Sequence, residues 1–126
     1  MKILVDTHIL IWWISDHPKL PKAAHEFLSD PDNKIYFSSM SIWEAAIKYR
    51  RRNLEFSSSE LRRGALGSGF EMLPFHDTHA LYVSALPRIH ADPFDRALVA
   101  QAFSEPMHLL THDTILAEYG SLVMLV

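Results

Sequence analysis

The sequence predicts an α/β fold built on a parallel sheet, with helices on both faces. Three observations carry this. Five short apolar runs, Ile3-Leu4-Val5, Ile35-Tyr36-Phe37, Met72-Leu73, Met107–Leu110 and Leu122–Val126, have the character of strands buried on both faces. Segments with helical spacing lie between them. The resulting alternation of strand and helix calls for right-handed crossovers and a sheet covered on each side. Propensity alone leaves the strand order open.

The helices follow in chain order. The first is expected from Thr7 to about Ser15, and the second from Pro21 to about Leu28, with Pro21 in its first turn. The third begins near Ser39 or Ser41 and carries Trp43, Ala46, Ile47 and Arg50. In the Ser57-Ser58-Ser59 run a loop ends in an N-cap, because Leu61 and Leu66 follow at helical spacing. That fourth helix is expected to stop at Gly67. A fifth starts at Asp77, and a sixth opens with Asp92 as N-cap and Pro93 at the first helical position. The first helix has no polar stripe along Ile9–Ile14, so both of its sides need cover. The sheet supplies one side, and the second helix or a partner chain the other.

Composition bounds the function. At 126 residues the chain is expected to be one domain, 1–126, with a single core. It is 48% hydrophobic and 21% charged, which excludes disorder. Twelve Lys and Arg against fifteen Asp and Glu give a net charge of −3, so attraction to a polyanion must come from a local patch. Without cysteine, disulfides, zinc knuckles and thiol chemistry are excluded. The longest apolar run, Ile9–Ile14, is far below the ~18 residues of a membrane span, and Asp6 interrupts any secretory signal. A cytoplasmic location is expected.

The acids mark the site. Asp6 directly follows the first strand, and Asp113 follows the Met107 strand after Thr111 and His112. Glu44 falls early in the third helix, and Asp95 in the first turn of the sixth. In a parallel sheet, strand ends and crossover-helix starts share one rim, where ligands bind at the switch in strand order. Four carboxylates there repel one another unless a cation neutralises them. Oxygen-only ligands suit a hard ion, Mg²⁺ or Mn²⁺, and phosphoryl chemistry. Taken singly, each acid also has a structural explanation: Asp6, Asp95 and Asp113 as caps or dipole partners, Glu44 as a solvated helix residue.

KILVDTHILIW around Asp6, SMSIWEAAIK around Glu44, HADPFDRALVAQA around Asp95 and LLTHDTILAEYG around Asp113 resemble, in order and spacing, the four acidic positions of PIN domains. The resemblance extends along essentially the whole chain and is nearest to VapC-like toxins of type II toxin–antitoxin modules. It implies a PIN-like three-layer α/β/α sandwich with a five-stranded parallel sheet in the order 3-2-1-4-5. It also implies an Mg²⁺- or Mn²⁺-dependent ribonuclease that forms a homodimer and is inhibited by a cognate antitoxin. Asp6, Glu44, Asp95 and Asp113 would be its catalytic and metal residues. Thr111 matches a hydroxyl position often found near the metal.

The expected substrate, single-stranded RNA, needs cations. Lys48, Arg50, Arg51, Arg52, Arg62 and Arg63 crowd residues 48–63 with Tyr49 interleaved, a pattern that serves phosphates and unpaired bases or simply a solvated helix end. Arg96, beside Asp95, is placed for a phosphate or a rim acid. A zinc site among the eight histidines finds pairs, His76 with His79 and His108 with His112, but no third ligand. An aspartyl phosphatase would want an Asp where His8 stands, and a receiver an acidic pair at the first strand. A PIN-like nucleic-acid-binding module or DNA nuclease without a toxin role stays open as the alternative.

Overall fold

The structure is a computed structural model that describes residues 1–48 and 57–126. In chain order the elements are β1 (Lys2–Val5), α1 (Thr7–Ile14), α2 (Lys22–Ser29), β2 (Lys34–Ser38), α3 (Ser39–Lys48), α4 (Ser58–Gly67), β3 (Glu71–Leu73), α5 (Asp77–Ala85), α6 (Pro93–Ser104), β4 (His108–Thr111) and β5 (Val123–Leu125), with a 3-10 turn at Leu116–Tyr119 before β5. The five strands form one parallel sheet in the order β3-β2-β1-β4-β5. The central strand β1 therefore has its switch point against β4.

The period-two alternation of strand side chains divides the core into two layers. Ile3, Val5, Ile35, Phe37 and Leu110 pack with Ile9 and Leu10 of α1, Ala24 and Leu28 of α2, and Leu61 and Ala65 of α4. Leu4, Leu73, Leu109 and Val123 face the other way, against Leu98, Val99 and Ala102 of α6 and the 3-10 turn. Both sheet faces are covered, which is why the strands are continuously apolar. Among the described residues, no helix is long and apolar enough to cross a membrane.

Local details adjust the expected boundaries. Pro21 is the N-cap residue of α2 rather than part of its first turn. Helix α4 begins with a capping box between Ser57 and Glu60 and continues through Gly67. The left-handed residue that ends it is Gly69, at φ 84°, two residues beyond the expected stop. There the Phe70 amide reaches Ala65 O at 3.1 Å and the Gly69 amide reaches Leu66 O at 3.0 Å, which is a Schellman closure. The apolar α1 is covered largely from within this chain. Trp13 lies 5.8 Å from Phe70 and 5.3 Å from His25 between ring centres, and its indole donates to Ser68 Oγ.

Candidate metal centre

The β1–β4 register brings two acids together. Val5 pairs with Leu110, and the Asp6 amide donates to Leu110 O at 3.0 Å, so Asp6 and Thr111 meet at the strand ends. Asp6 has two roles at once. Its Oδ1 accepts the Ile9 amide at 2.8 Å and caps α1, while its Oδ2 accepts the Thr111 hydroxyl at 2.5 Å. The same Thr111 oxygen accepts the Asp113 amide at 3.0 Å. Capping and site geometry are thus compatible in one carboxylate. Burial pushes the Asp6 carboxyl above its ordinary range, against the lowering effect of Thr111 and the Ile9 amide.

Glu44 arrives from α3, which starts as soon as β2 ends. It is buried at 2% exposure, and its Oε1 has no hydrogen-bond partner. Its Oε2 accepts from the Lys48 ammonium at 2.7 Å, one helical turn on. Lys48 also donates to Asp92 Oδ2 at 2.5 Å. Burial opposes its charge, but the two carboxylates more than offset that and raise its pKa. Lys48, expected among the substrate cations, is therefore engaged by acids of the rim.

Asp92 and Pro93 start α6 as the sequence leads one to expect. Asp92 Oδ1 accepts from the Phe94 and Asp95 amides at 2.8 and 3.3 Å. One turn of backbone then delivers Asp95 to the rim. Burial, together with the charges of Asp92, Glu44 and Asp6, pushes the Asp95 carboxyl up to about 7. The acid feels three others at once. Asp113 Oδ1 accepts the Ile115 amide at 2.9 Å, and its Oδ2 lies 2.9 Å from His90 Nε2.

Asp6, Glu44, Asp95 and Asp113 thus share one rim, with Thr111 joining the first and last. Sequence reasoning passed over two neighbouring residues, His90 and Arg88. His90 touches Asp113 and lies 3.4 Å from Asp95 Oδ2. Ligand atoms of His90, Asp95 and Asp113 lie within 4.8 Å of one another. Arg88 lines an open pocket with Ile89, His90, Ala91 and Arg96. Arg96 donates to Val83 O and Pro87 O at 3.1 and 2.9 Å and to Tyr119 Oη, so its guanidinium is fixed by carbonyls rather than by a rim acid. Arg50, Arg51 and Arg52 lie outside the described residues.

The donor set fits a hard divalent cation. Its atoms are carboxylate oxygens, one of them buried and unpartnered at Glu44, and two of the acids hold protons more tightly than usual. In each histidine pair for which the sequence shows no third zinc ligand, one ring is engaged elsewhere. His79 Nε2 meets Glu105 at 2.5 Å, and His112 Nδ1 meets Val126 O at 2.5 Å.

Similar proteins agree with this architecture. VapBC2 from Rickettsia felis, in a crystal structure bound to a DNA fragment from the promoter, aligns with TM-score 0.73 and 19% identity over 100% of this chain and 98% of that one. A toxin–antitoxin complex from Klebsiella pneumoniae aligns with TM-score 0.67 and 21% identity over 97% and 95% of the two chains. FitAcB from Neisseria gonorrhoeae gives 0.62 and 18% over 90% and 89%. No curated protein matches significantly. The profile of the PIN domain family matches residues 3–122. The chain belongs to the PIN domain family.

Proposed function

We propose that this PIN domain is a metal-dependent endoribonuclease of single-stranded RNA and the toxin of a type II toxin–antitoxin module. The observation that carries the nuclease reading is the buried Glu44 Oε1, without a partner in a rim it shares with Asp6 and Asp95. The toxin role rests on likeness to the Rickettsia VapBC2 and Klebsiella toxin–antitoxin structures, which supports a cognate antitoxin as partner; a homodimer is the further assembly proposed, carried by the family resemblance alone.

Asp6, Glu44, Asp95 and Asp113 would hold Mg²⁺ or Mn²⁺, which supplies an activated water and charge stabilisation at the scissile phosphate. The chain prepares the rest. Thr111 fixes the rotamer of Asp6, and Lys48 holds one oxygen of Glu44 so that the other stays free. Arg88 and Arg96 give the adjacent pocket positive charge for a neighbouring phosphate. Trp43, 55% exposed beside Glu44 and braced edge-on by Phe94 at 5.2 Å, offers a face to an unpaired base. Arg50, Arg51 and Arg52, which lie outside the described residues, are proposed as further cations for the RNA backbone.

The test offers the purified chain single-stranded RNA and DNA of the same sequence, with Mg²⁺, with Mn²⁺ and with EDTA. Cleavage of RNA that EDTA stops is expected. Metal-free cleavage at an unchanged rate refutes the reading, and exclusive cleavage of DNA refutes its substrate.

A further inference from the structure

His90 lies in the segment between α5 and α6, outside the four acids, and its ring is held from three directions. The backbone amide of His90 donates to Tyr119 Oη at 2.9 Å, which anchors the segment. The amide of Asp92 donates to His90 Nδ1 at 3.0 Å. An Nδ1 that accepts a hydrogen bond leaves the ring hydrogen to Nε2. That Nε2 lies 2.9 Å from Asp113 Oδ2 and 3.4 Å from Asp95 Oδ2.

Two uses of such a ring compete. A metal-ligating Nε2 must present its lone pair, with the proton moved to Nδ1, where it would point at the Asp92 N–H. A positioning ring keeps the Nε2 hydrogen and donates it to a carboxylate ligand. The Asp92 amide decides between them, because it belongs to the start of α6 and is fixed by the helix. The unpartnered Glu44 Oε1 independently marks the same rim as a place for a cation.

We propose that His90 is a positioning residue, an Nε2–H donor that aims Asp113 toward Asp95 for a divalent cation bound entirely by oxygen. This rests on the reading of the rim as a metal centre. It also explains how a site containing an imidazole keeps a hard-ion donor set, since the nitrogen is not offered to the metal.

Mn²⁺ is the probe. Its binding is measured calorimetrically on the wild-type chain, His90→Gln and His90→Ala, with circular dichroism as the folding check. Glutamine places an amide N–H near the position of Nε2 and should keep most of the affinity, while alanine should lose about 10- to 100-fold. In the metal-free chain, ¹⁵N NMR should find the His90 hydrogen on Nε2, and the electron paramagnetic resonance of bound Mn²⁺ should lack coupling to an imidazole nitrogen. Should His90→Ala fail to fold, the NMR and resonance spectra of the wild type decide. A proton on Nδ1, a nitrogen coupling, or a folded His90→Ala that binds Mn²⁺ like the wild type overturns the assignment. A wild-type chain that takes up no Mn²⁺ overturns the metal reading beneath it.

Discussion

Thr111 and Asp6 are 105 residues apart in the chain, and the Thr111 hydroxyl donates to Asp6 Oδ2 at 2.5 Å. Because Thr111 Oγ1 also accepts the Asp113 amide, one fully buried hydroxyl ties the acid at the end of β1 to the acid after β4. Thr111→Val keeps the shape and removes the hydroxyl. A buried carboxylate then loses a donor, and the cost should be about 1–3 kcal/mol of stability. Thr111→Ser should recover most of it. Denaturant unfolding of the two variants measures the difference, and equal losses would show that Thr111 matters only for packing.

The raised carboxyls fix the sign of the pH dependence. Asp6 and Asp95 hold protons in the folded chain at pH values where the unfolded chain has released them. The folded state therefore binds more protons between about pH 4 and pH 7, and stability falls as pH rises through that window. Each such proton contributes a slope of at most about 1.4 kcal/mol per pH unit. The metal-free chain should melt higher at pH 5 than at pH 8, and Asp95→Asn should flatten the dependence. Added Mg²⁺ should raise the melting temperature more at pH 8, where fewer protons compete for the oxygens.

Lys48 neutralises Glu44 and Asp92 from a half-exposed position. Lys48→Met keeps much of the apolar stem and deletes the charge, leaving a buried carboxylate without its cation. The metal-free chain should lose about 1–3 kcal/mol, a range discounted for solvent around the ammonium. Mg²⁺ should restore part of the loss, since a divalent ion can take over the neutralisation. Thermal melts with and without Mg²⁺ check this, and an equal deficit in both would separate Lys48 from the metal.

Why the four acids were legible and their partners were not has a physical cause. Asp6 stands directly after an apolar strand, Asp113 two residues after one, and Asp95 inside a Pro-marked helix start, so local chain geometry alone sends them to the rim. The strand order came from resemblance rather than periodicity, since pairing is a long-range property. His90 is one histidine among eight, and its meaning depends on which ring nitrogen the Asp92 amide meets. Lys48 carried a usable signal in its i,i+4 spacing from Glu44, but the run of arginines after it drew it into a substrate patch. Gly67 is a plausible helix stop by composition, while the turn needs its left-handed residue at Gly69.

Packing between helices makes a separate prediction. A Cβ at Gly64 of α4 would stand 2.7 Å from Ile14 Cγ2 of α1. Alanine ordinarily gains about 1 kcal/mol over glycine within a helix. Here Cγ2 branches at Cβ and cannot swing away, so overpacking of about 1–3 kcal/mol should win. Gly64→Ala should be destabilised, and Ile14→Ala added to it should cost less than Ile14→Ala costs the parent chain. Simple additivity in the double-mutant cycle would disprove the close contact.

Asp92 and Asp95 are one helical turn apart and should separate stability from activity. Asp92 caps α6 through the Phe94 and Asp95 amides and pairs with Lys48, and these contacts lower its pKa despite partial burial. Asp92→Ala should therefore cost about 0.5–2 kcal/mol for the cap alone, with a further contribution from the pair. Its backbone amide survives the substitution, so His90 keeps its tautomer and the rim keeps its shape. Metal-dependent cleavage should persist at low temperature. Asp95 makes no cap bond, and its ionisation near neutral pH opposes folding because the carboxyl is buried and has Asp92, Glu44 and Asp6 around it. Asp95→Asn should leave the chain as stable as before, or slightly more stable above pH 7, while abolishing cleavage and weakening Mn²⁺ binding. Melting curves and RNA cleavage assays on the two variants settle the assignment. An inactive Asp92→Ala beside an active Asp95→Asn would place the metal ligand at the cap, one turn earlier in α6.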